Sequence, residues 1–325
     1  MKIGMISFAH GHANSYARSL LKLPGVELVG IADDNEERGK AKAAEFGTEY
    51  YELDDLLAIP EIDGVIICSE NAKHRQFTEA AARAGKHILV EKPIATTLED
   101  AQAMIDICKE EGVKLQVAFP CRFIPAVQQA KEAIDNGRLG RLIGIRSSNH
   151  GQNPGGWFID PELSGGGAVM DHTVHIVDLI RWIFDCEVTE VYAEADSMIY
   201  GIDIDDCGLL SMALSNGAFA TLDPSWSRPR AFPTWGDVIM QIVGTNGVID
   251  VDAGRQKLDL YSNEQGYRHV SWGDDMDYYL IKDWVEMIAQ DREPFITGED
   301  GLRALEVALA AYQSAKSHSV VHIQD

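Results

Sequence analysis

The heptapeptide His87-Ile88-Leu89-Val90-Glu91-Lys92-Pro93 is a short apolar strand that ends on a charged pair and a proline. Proline stops the strand, because it has no N–H for a ladder and its ring fixes φ. A lysine is thereby left at the strand's C-terminal end, the edge of an open parallel sheet where ligands bind. A lysine there also serves as a solvated cap, so its meaning depends on the surrounding chain.

Outward from this strand, the first 120 residues alternate short β-branched runs with helical periods. Strands are predicted at 2–7, 26–33, 65–68, 87–91 and 114–118, and helices at 15–23, 36–46, 73–84 and 98–111, with a helical turn at 53–58. Strands apolar on both faces belong to parallel sheets, and alternating βαβ units make a doubly wound one. After Ala118 the rhythm changes. A helix at 125–136 leads to a strand at 142–149, a glycine-rich loop and a long apolar helix at 170–184. Strand-like runs follow at 188–200, 207–214, 218–224, 238–243, 248–251 and 258–261, then helices at 276–290 and 300–317. Short turns such as Asn216-Gly217 and Asn246-Gly247 read as antiparallel meanders. The boundary is placed near 119–122, giving segments 1–120 and 121–325, with the terminal helix 300–317 a candidate to pack back on the first.

Composition narrows the function. The 325 residues are 46% hydrophobic and 24% charged, ordinary globular values with room for two domains. A net charge of −23 argues against sequence-independent binding to nucleic acids or anionic membranes, which needs a basic footprint, and leaves small molecules as the expected partners. Five cysteines, an odd number without C-x-x-C spacing, suit a reducing cytoplasm. Residues 1–6 pass straight into a strand, so no signal peptide is expected, and no apolar run approaches membrane-span length.

The turn after the first strand reads Ser7-Phe8-Ala9-His10-Gly11-His12-Ala13, where Gly-x-Gly-x-x-Gly marks a dinucleotide site. Only small residues stand at the first two glycine positions, and they serve if φ stays negative. The second strand ends in Ala32-Asp33-Asp34, and a carboxylate there accepts hydrogen bonds from the adenosine-ribose hydroxyls while repelling a 2′-phosphate, which favours NAD over NADP. Asp33, Asp34 or Asn35 equally suits the N-cap of the next helix. Ser69, Asn71 and His74 follow the third strand, where they face a cofactor or, for Ser69 and Asn71, cap helix 73–84.

In the second half, Gly165-Gly166-Gly167 feeds a helix on which Asp171, His175 and Asp178 recur at i, i+4 and i+7, one face of the helix. Such a cluster is either a buried hydrogen-bonded group or a site.

The ordered set Asp33, Ser69-x-Asn71-x-x-His74, Gly85-Lys86-His87-x-x-x-Glu91-Lys92-Pro93, Arg122, Gly165-Gly166-Gly167, Asp171-x-x-x-His175-x-x-Asp178 and the final helix resembles the glucose-fructose oxidoreductase / inositol dehydrogenase (Gfo/Idh/MocA) family across nearly the whole chain. The resemblance implies an α/β fold: an N-terminal Rossmann domain plus a C-terminal α+β domain with an open-faced, mostly antiparallel sheet. It also implies hydride transfer between a nicotinamide cofactor and a secondary alcohol of a sugar or polyol. Lys92, Asp171 and His175 take the positions of the family's catalytic lysine and Asp/His pair. Ser7, Phe8, Ala9, His10, Gly11, His12, Asp33, Ser69, Asn71, His74, Glu91, Lys92 and Arg122 become cofactor-side candidates. On the substrate side the candidates are His150, Trp157 and His172, together with the three catalytic residues.

Losing a hydroxyl proton requires a base near neutral pKa, which assigns His175, while a cation beside the developing alkoxide assigns Lys92 and leaves Asp171 to orient substrate or base. The run Trp226-Ser227-Arg228-Pro229-Arg230-Ala231-Phe232-Pro233-Thr234-Trp235 adds aromatics able to stack on a sugar and arginines able to grip a carboxylate or phosphate, and an exposed sheet rim or a subunit interface explains it equally well. A homo-oligomer, dimer or tetramer, is expected, and no metal. Three alternatives stay open: an NAD-retaining glycosidase or epimerase, an NAD-responsive regulator without enzymatic activity, and a divalent-metal site drawn from His10, His12, His150, His172, His175 and Asp171.

Overall fold

Short runs that are apolar on both faces form a parallel sheet here. In the computed structural model, which describes residues 1–323 apart from 256, 265 and 272–274, six strands build it: β1 (Lys2–Ile6), β2 (Glu27–Ala32), β3 (Glu49–Tyr51), β4 (Gly64–Ile67), β5 (His87–Glu91) and β6 (Leu115–Ala118). Their order is β3-β2-β1-β4-β5-β6, every pair parallel. The winding reverses between β1 and β4, and the crevice at such a reversal is where open α/β sheets bind nucleotides.

The crossovers are α1 (His12–Lys22), α2 (Glu36–Phe46), α3 (Leu53–Leu57), α4 (His74–Arg83) and α5 (Leu98–Glu110). Helix α2 has both end signals, Asn35 accepting the Arg38 N–H as N-cap and Gly47 closing the C-terminus at φ 68°. Helix α1 starts three residues before the expected position. Its N-cap is Gly11, which has no side chain to announce the start. Strand β3 was not expected; three residues at a sheet edge are too few to show a period.

The second sheet follows α6 (Pro125–Asp135) and contains β7 (Leu142–Ser148). After it come the single turn α7 (Pro161–Ser164) and the long helix α8 (Ala168–Phe184), then β8 (Val188–Asp196), β9 (Cys207–Leu214), β10 (Phe219–Asp223), β11 (Ile239–Gly244) and β12 (Val248–Asp252). A separate hairpin joins β13 (Lys257–Ser262) to β14 (Gly266–Ser271), and α9 (Met276–Ala289), α10 (Gly298–Ser317) and β15 (Val321–His322) end the described chain. The seven-stranded order is β12-β11-β7-β10-β9-β8-β15. All its pairs are antiparallel except β7 with β10. The meander turns at Asn216-Gly217 and Asn246-Gly247 do join antiparallel neighbours, β9 with β10 and β11 with β12.

The chain divides into two units. One comprises Met1–Pro120, Asp160–Gly165 and Asp277–Leu305, and the other Cys121–Ile159, Gly166–Met276 and Glu306–Asp325, whose last two residues lie outside the described ones. Within the first unit the late segment returns to the edge of the parallel sheet, where the Val117 N–H donates to the Ile296 carbonyl at 3.1 Å and Gln116 bridges Thr297.

Candidate active site

Each unit carries its own cluster of functional side chains. In the first, Ser7 follows β1 at φ +67° and is fully buried. The expected negative φ is therefore corrected: the backbone keeps the left-handed turn of the fingerprint's first glycine, and serine bears it. That conformation costs an L-residue about 1–2 kcal/mol. Local bonds offset it, since the Ser7 Oγ accepts the Ala9 N–H at 3.2 Å and the Arg38 Nη2 at 3.3 Å.

Asp33 directly follows β2 and closes the same turn. Its Oδ2 accepts the Phe8 N–H at 2.8 Å and Arg38 Nε at 2.8 Å; its Oδ1 accepts the Asn35 N–H at 2.9 Å and Arg38 Nη2 at 2.6 Å. Arg38, unforeseen from sequence, thus holds the carboxylate expected to face ribose. Of the three cap candidates for α2, Asn35 is the one used.

The Glu91 carboxylate, fully buried at the end of β5, collects the remaining polar groups. Its Oε1 meets His12 Nδ1 at 2.9 Å and accepts the Tyr16 hydroxyl at 2.5 Å, while its Oε2 accepts the Lys92 N–H at 2.9 Å. Burial alone would raise its pKa, but the charges of His10, His12 and Lys92 and the His12 hydrogen bond hold it far below the usual carboxylate range. For His12, burial pulls downward, and the Glu91 charge and hydrogen bond prevail, so its pKa is raised. The His10 and His12 rings meet edge to face at 4.5 Å. His10, His12 and Glu91 bring one ligand atom each within 4.8 Å of one another, a grouping able to hold a metal and different from the set suggested by sequence. Its geometry is that of an ion pair, with hydrogen-bond donors on both Glu91 oxygens and Lys92 adjacent.

Ser69 and Asn71 do not cap α4, correcting that expectation. Lys73 is the N-cap residue without a side-chain bond, Ser69 Oγ donates to the Glu70 carbonyl at 3.1 Å, and Asn71 Nδ2 donates to the Ser164 carbonyl at 2.8 Å. His74 Nδ1 lies 3.0 Å from the Pro93 carbonyl, bracing the chain after Lys92, and burial lowers its pKa.

A dinucleotide fits these residues. An ideal Cβ on Gly11, at the start of α1, would meet nothing within 4 Å, and the buried Asn71 Oδ1 at the sheet's C-terminal edge has no protein donor. Open backbone at a helix N-terminus suits a phosphate. A buried acceptor without a donor needs a partner, which a ligand amide or hydroxyl can provide.

In the second unit, Gly167 is required by close approach. A Cβ on Gly167 would fall 1.8 Å from the Asp205 carbonyl oxygen. Asp205 and Tyr312, neither singled out from sequence, cap α8 from afar. The Asp205 carboxylate accepts the Gly167 and Val169 N–H groups at 2.9 and 2.7 Å, and the Tyr312 hydroxyl lies 3.0 Å from the Met170 N–H. Burial raises the Asp205 pKa despite these bonds.

On α8, the three aligned polar residues take different partners. Asp171 Oδ2 accepts Trp226 Nε1–H at 3.1 Å and lies 3.2 Å from His172 Nε2. His175 Nδ1 is 3.6 Å from Cys121 Sγ. Asp178, fully buried, is held by Arg122 through Nε at 2.9 Å and Nη2 at 2.6 Å. Arg122, a cofactor-side candidate, thus has its guanidinium on Asp178. Trp226, expected as a stacking surface, is 0% exposed, a correction that leaves its N–H as its polar function. Arg228 stacks over Phe232 at 4.1 Å and pairs with Asp237.

His150 sits between two carboxylates, Nε2 3.1 Å from Asp223 and Nδ1 3.1 Å from Asp237. Hydrogen bonds to Asp223 and Asp237 raise its pKa to about 9 against the pull of burial. Trp157, half-buried, stacks on Phe158 at 3.8 Å.

Comparison with known proteins identifies both halves of the chain. The description "oxidoreductase family, NAD-binding Rossmann fold" matches residues 1–119, and "GFO/IDH/MocA C-terminal domain" matches residues 127–250. An uncharacterised oxidoreductase of Bacillus subtilis (strain 168) is 30% identical over 314 residues, 92% of this chain and 90% of that protein. The myo-inositol 2-dehydrogenase of Thermotoga maritima is 28% identical over 338 residues, 100% of this chain and 99% of that one. Among solved structures, GenD2 from gentamicin A biosynthesis, in complex with NAD, has a TM-score of 0.92 at 24% identity, over 100% of this chain and 97% of that chain, a likeness of fold. Among the described residues no helix is long and apolar enough to cross a membrane.

Proposed function

The chain belongs to the GFO/IDH/MocA family and is an NAD(P)-dependent oxidoreductase of its dehydrogenase class; on that premise we propose that it oxidises a secondary alcohol of a sugar or polyol to the ketone, or runs the reverse. The observation that carries this reading is Lys92, a cation 4% exposed at the end of β5, its backbone N–H fixed by Glu91. The relative named for myo-inositol supports the substrate class.

Bound NAD supplies the hydride acceptor. The alcohol carbon loses its hydride, the hydroxyl loses its proton to His175, and the C–O bond becomes C=O. Lys92 stabilises the oxygen as negative charge develops, and Asp171 orients substrate or base. His175 suits the base better than His150, which is held protonated by its two carboxylates at neutral pH. Asp33 supports NAD as the preferred cofactor, with Arg38 softening its repulsion of a 2′-phosphate.

Two further readings have support of their own. A homo-oligomer is favoured by the outer face of the second sheet, where Leu209 is 60% and Phe219 59% exposed and the register brings Tyr192 to the same face. A reducing cytoplasm agrees with five cysteines, none of which forms a disulfide among the described residues.

The test is absorbance at 340 nm with NAD or NADP over a panel of inositols, aldoses and sugar acids, in both directions. We expect turnover of at least one polyol, reduced by about 100-fold or more in Lys92→Ala. Silence across the panel with both cofactors would overturn the proposal.

A further inference from the structure

We propose that His172 and Trp226 are positioning residues for Asp171, and that His172 is an imidazolium whose second ring hydrogen lies in its contact with the Asp171 carboxylate. This rests on the reading of Asp171 given above.

Donors and acceptors around the imidazole fix where its hydrogens lie. His172 Nδ1 is 2.9 Å from the Pro224 carbonyl oxygen, which only accepts, so Nδ1 carries a hydrogen. In a neutral ring Nε2 would then hold a lone pair, and it stands 3.2 Å from Asp171 Oδ2, which as a carboxylate also only accepts. Two lone pairs facing each other in a site where His172 is 5% and Asp171 8% exposed would repel with little water to screen them. One more proton resolves the conflict. Trp226 decides where it sits. Its Nε1–H, donor only, points at the same Oδ2 from 3.1 Å. An oxygen that receives a second donor is best as carboxylate, so the proton belongs on His172, and both hydrogen bonds to Asp171 become charge-assisted.

One short segment after β10 provides both controls. Pro224 supplies the carbonyl that orients His172, and Trp226 supplies the indole. The segment is itself pinned, the Trp226 backbone N–H donating to the Asp206 carbonyl at 2.9 Å and the Arg228 backbone N–H to the Gly151 carbonyl at 2.9 Å. Gly151 lets the backbone lie against the imidazole, since a Cβ there would be 2.4 Å from His172 Cε1. Asp171 is thereby fixed in rotamer and in charge by groups that need not touch the substrate.

The test has a spectroscopic and a kinetic arm on the full chain. In nitrogen-15 NMR of histidine-labelled protein near neutral pH, His172, assigned by its loss in His172→Gln, should be protonated on both ring nitrogens. An unprotonated Nε2 overturns the proposal. Kinetically, Trp226→Phe and His172→Met should each lower kcat by about 10- to 100-fold, the loss of one buried donor to a working carboxylate, with KM little changed. His172→Gln, whose amide nitrogen replaces Nε2 as donor, should recover most of that loss, which a merely structural role would not predict. Cofactor affinity, read by NADH fluorescence, should stay at the wild-type value. If Asp171→Asn keeps full activity, the functional reading of Asp171 fails and this inference with it. If Asp171→Asn is inactive while Trp226→Phe and His172→Met turn over like wild type, the inference alone is overturned.

Discussion

His150 offers a quantitative prediction, because both of its ring nitrogens face carboxylates. Nε2 lies 3.1 Å from Asp223 and Nδ1 3.1 Å from Asp237; although Arg228 Nη2 also lies 3.3 Å from Nδ1, the two carboxylates favour a hydrogen on each nitrogen and a positive ring. Hydrogen bonds from the two aspartates lift the pKa from 6.5 to about 9, outweighing burial. Asp223 is correspondingly lowered to about 2: burial would raise it, but the hydrogen bond from His150 prevails. Since the folded pKa is above the unfolded one, the stabilisation is complete below about pH 6.5 and is lost as pH rises through about 9. Unscreened, that interval is worth about 3.4 kcal/mol. The Asp223 side chain is 42% exposed, however, and solvent screening reduces the expectation to about 2 kcal/mol. Urea denaturation of wild type and His150→Gln at pH 6 and pH 9.5 measures it. Wild type should be the more stable at pH 6 by about 2 kcal/mol, and the gap should close at the higher pH. A His150 pKa below 7 by NMR, or a gap independent of pH, refutes the reasoning.

Breaking the Arg122–Asp178 pair should be costlier. With side chains 3% and 0% exposed, Asp178→Asn leaves a buried guanidinium without its counter-charge, and denaturation should show a loss of about 3–5 kcal/mol; a loss under about 1 kcal/mol contradicts the pairing. At Ser7, held at φ +67°, the two replacements should diverge. Ser7→Gly should stay within about 1 kcal/mol of wild type, relieving the backbone while losing the Oγ bonds, and Ser7→Val should cost about 2 kcal/mol or more, both read from thermal or urea unfolding.

The parallel sheet was legible because its strands are short, apolar and separated by helices with readable periods. Helix α2 matched residue for residue, helped by Asn35 and Gly47 at its ends. The chain period says nothing of strand neighbours, so the parallel pairing of β10 with β7 inside an otherwise antiparallel sheet was invisible. So was β15, two residues long. Helical spacing put Asp171, His175 and Asp178 on one face correctly as geometry. It could not name their partners, because those come from 121–122 and 224–226, far along the chain. Asp205 and Tyr312 left no signal for the same reason: they cap α8 across sequence separations of 38 and 145 residues for the Gly167 N–H.

The glycine-poor turn is where sequence and structure bear on each other most directly. The fingerprint's glycines allow a tight turn, close approach to a pyrophosphate and close packing of helix on strand. Here the first and third positions are each met by a contact. Ser7 makes the positive-φ turn and ties it down through Oγ. The third position is His12, and a side chain there rules out the closest packing, yet His12 does not turn to solvent; it reaches Glu91 at the end of β5, joined by Tyr16 from the next turn of α1. The helix is thus held to the sheet by the half-buried His12–Glu91 contact and a hydroxyl in place of bare backbone contact. Glu91 in turn accepts the Lys92 N–H, so the residue that replaces a glycine in the nucleotide turn is one hydrogen-bond partner away from the lysine assigned to the chemistry. Gly11, with open space where a Cβ would stand, leaves the backbone bare at the start of α1, the condition a phosphate would need there.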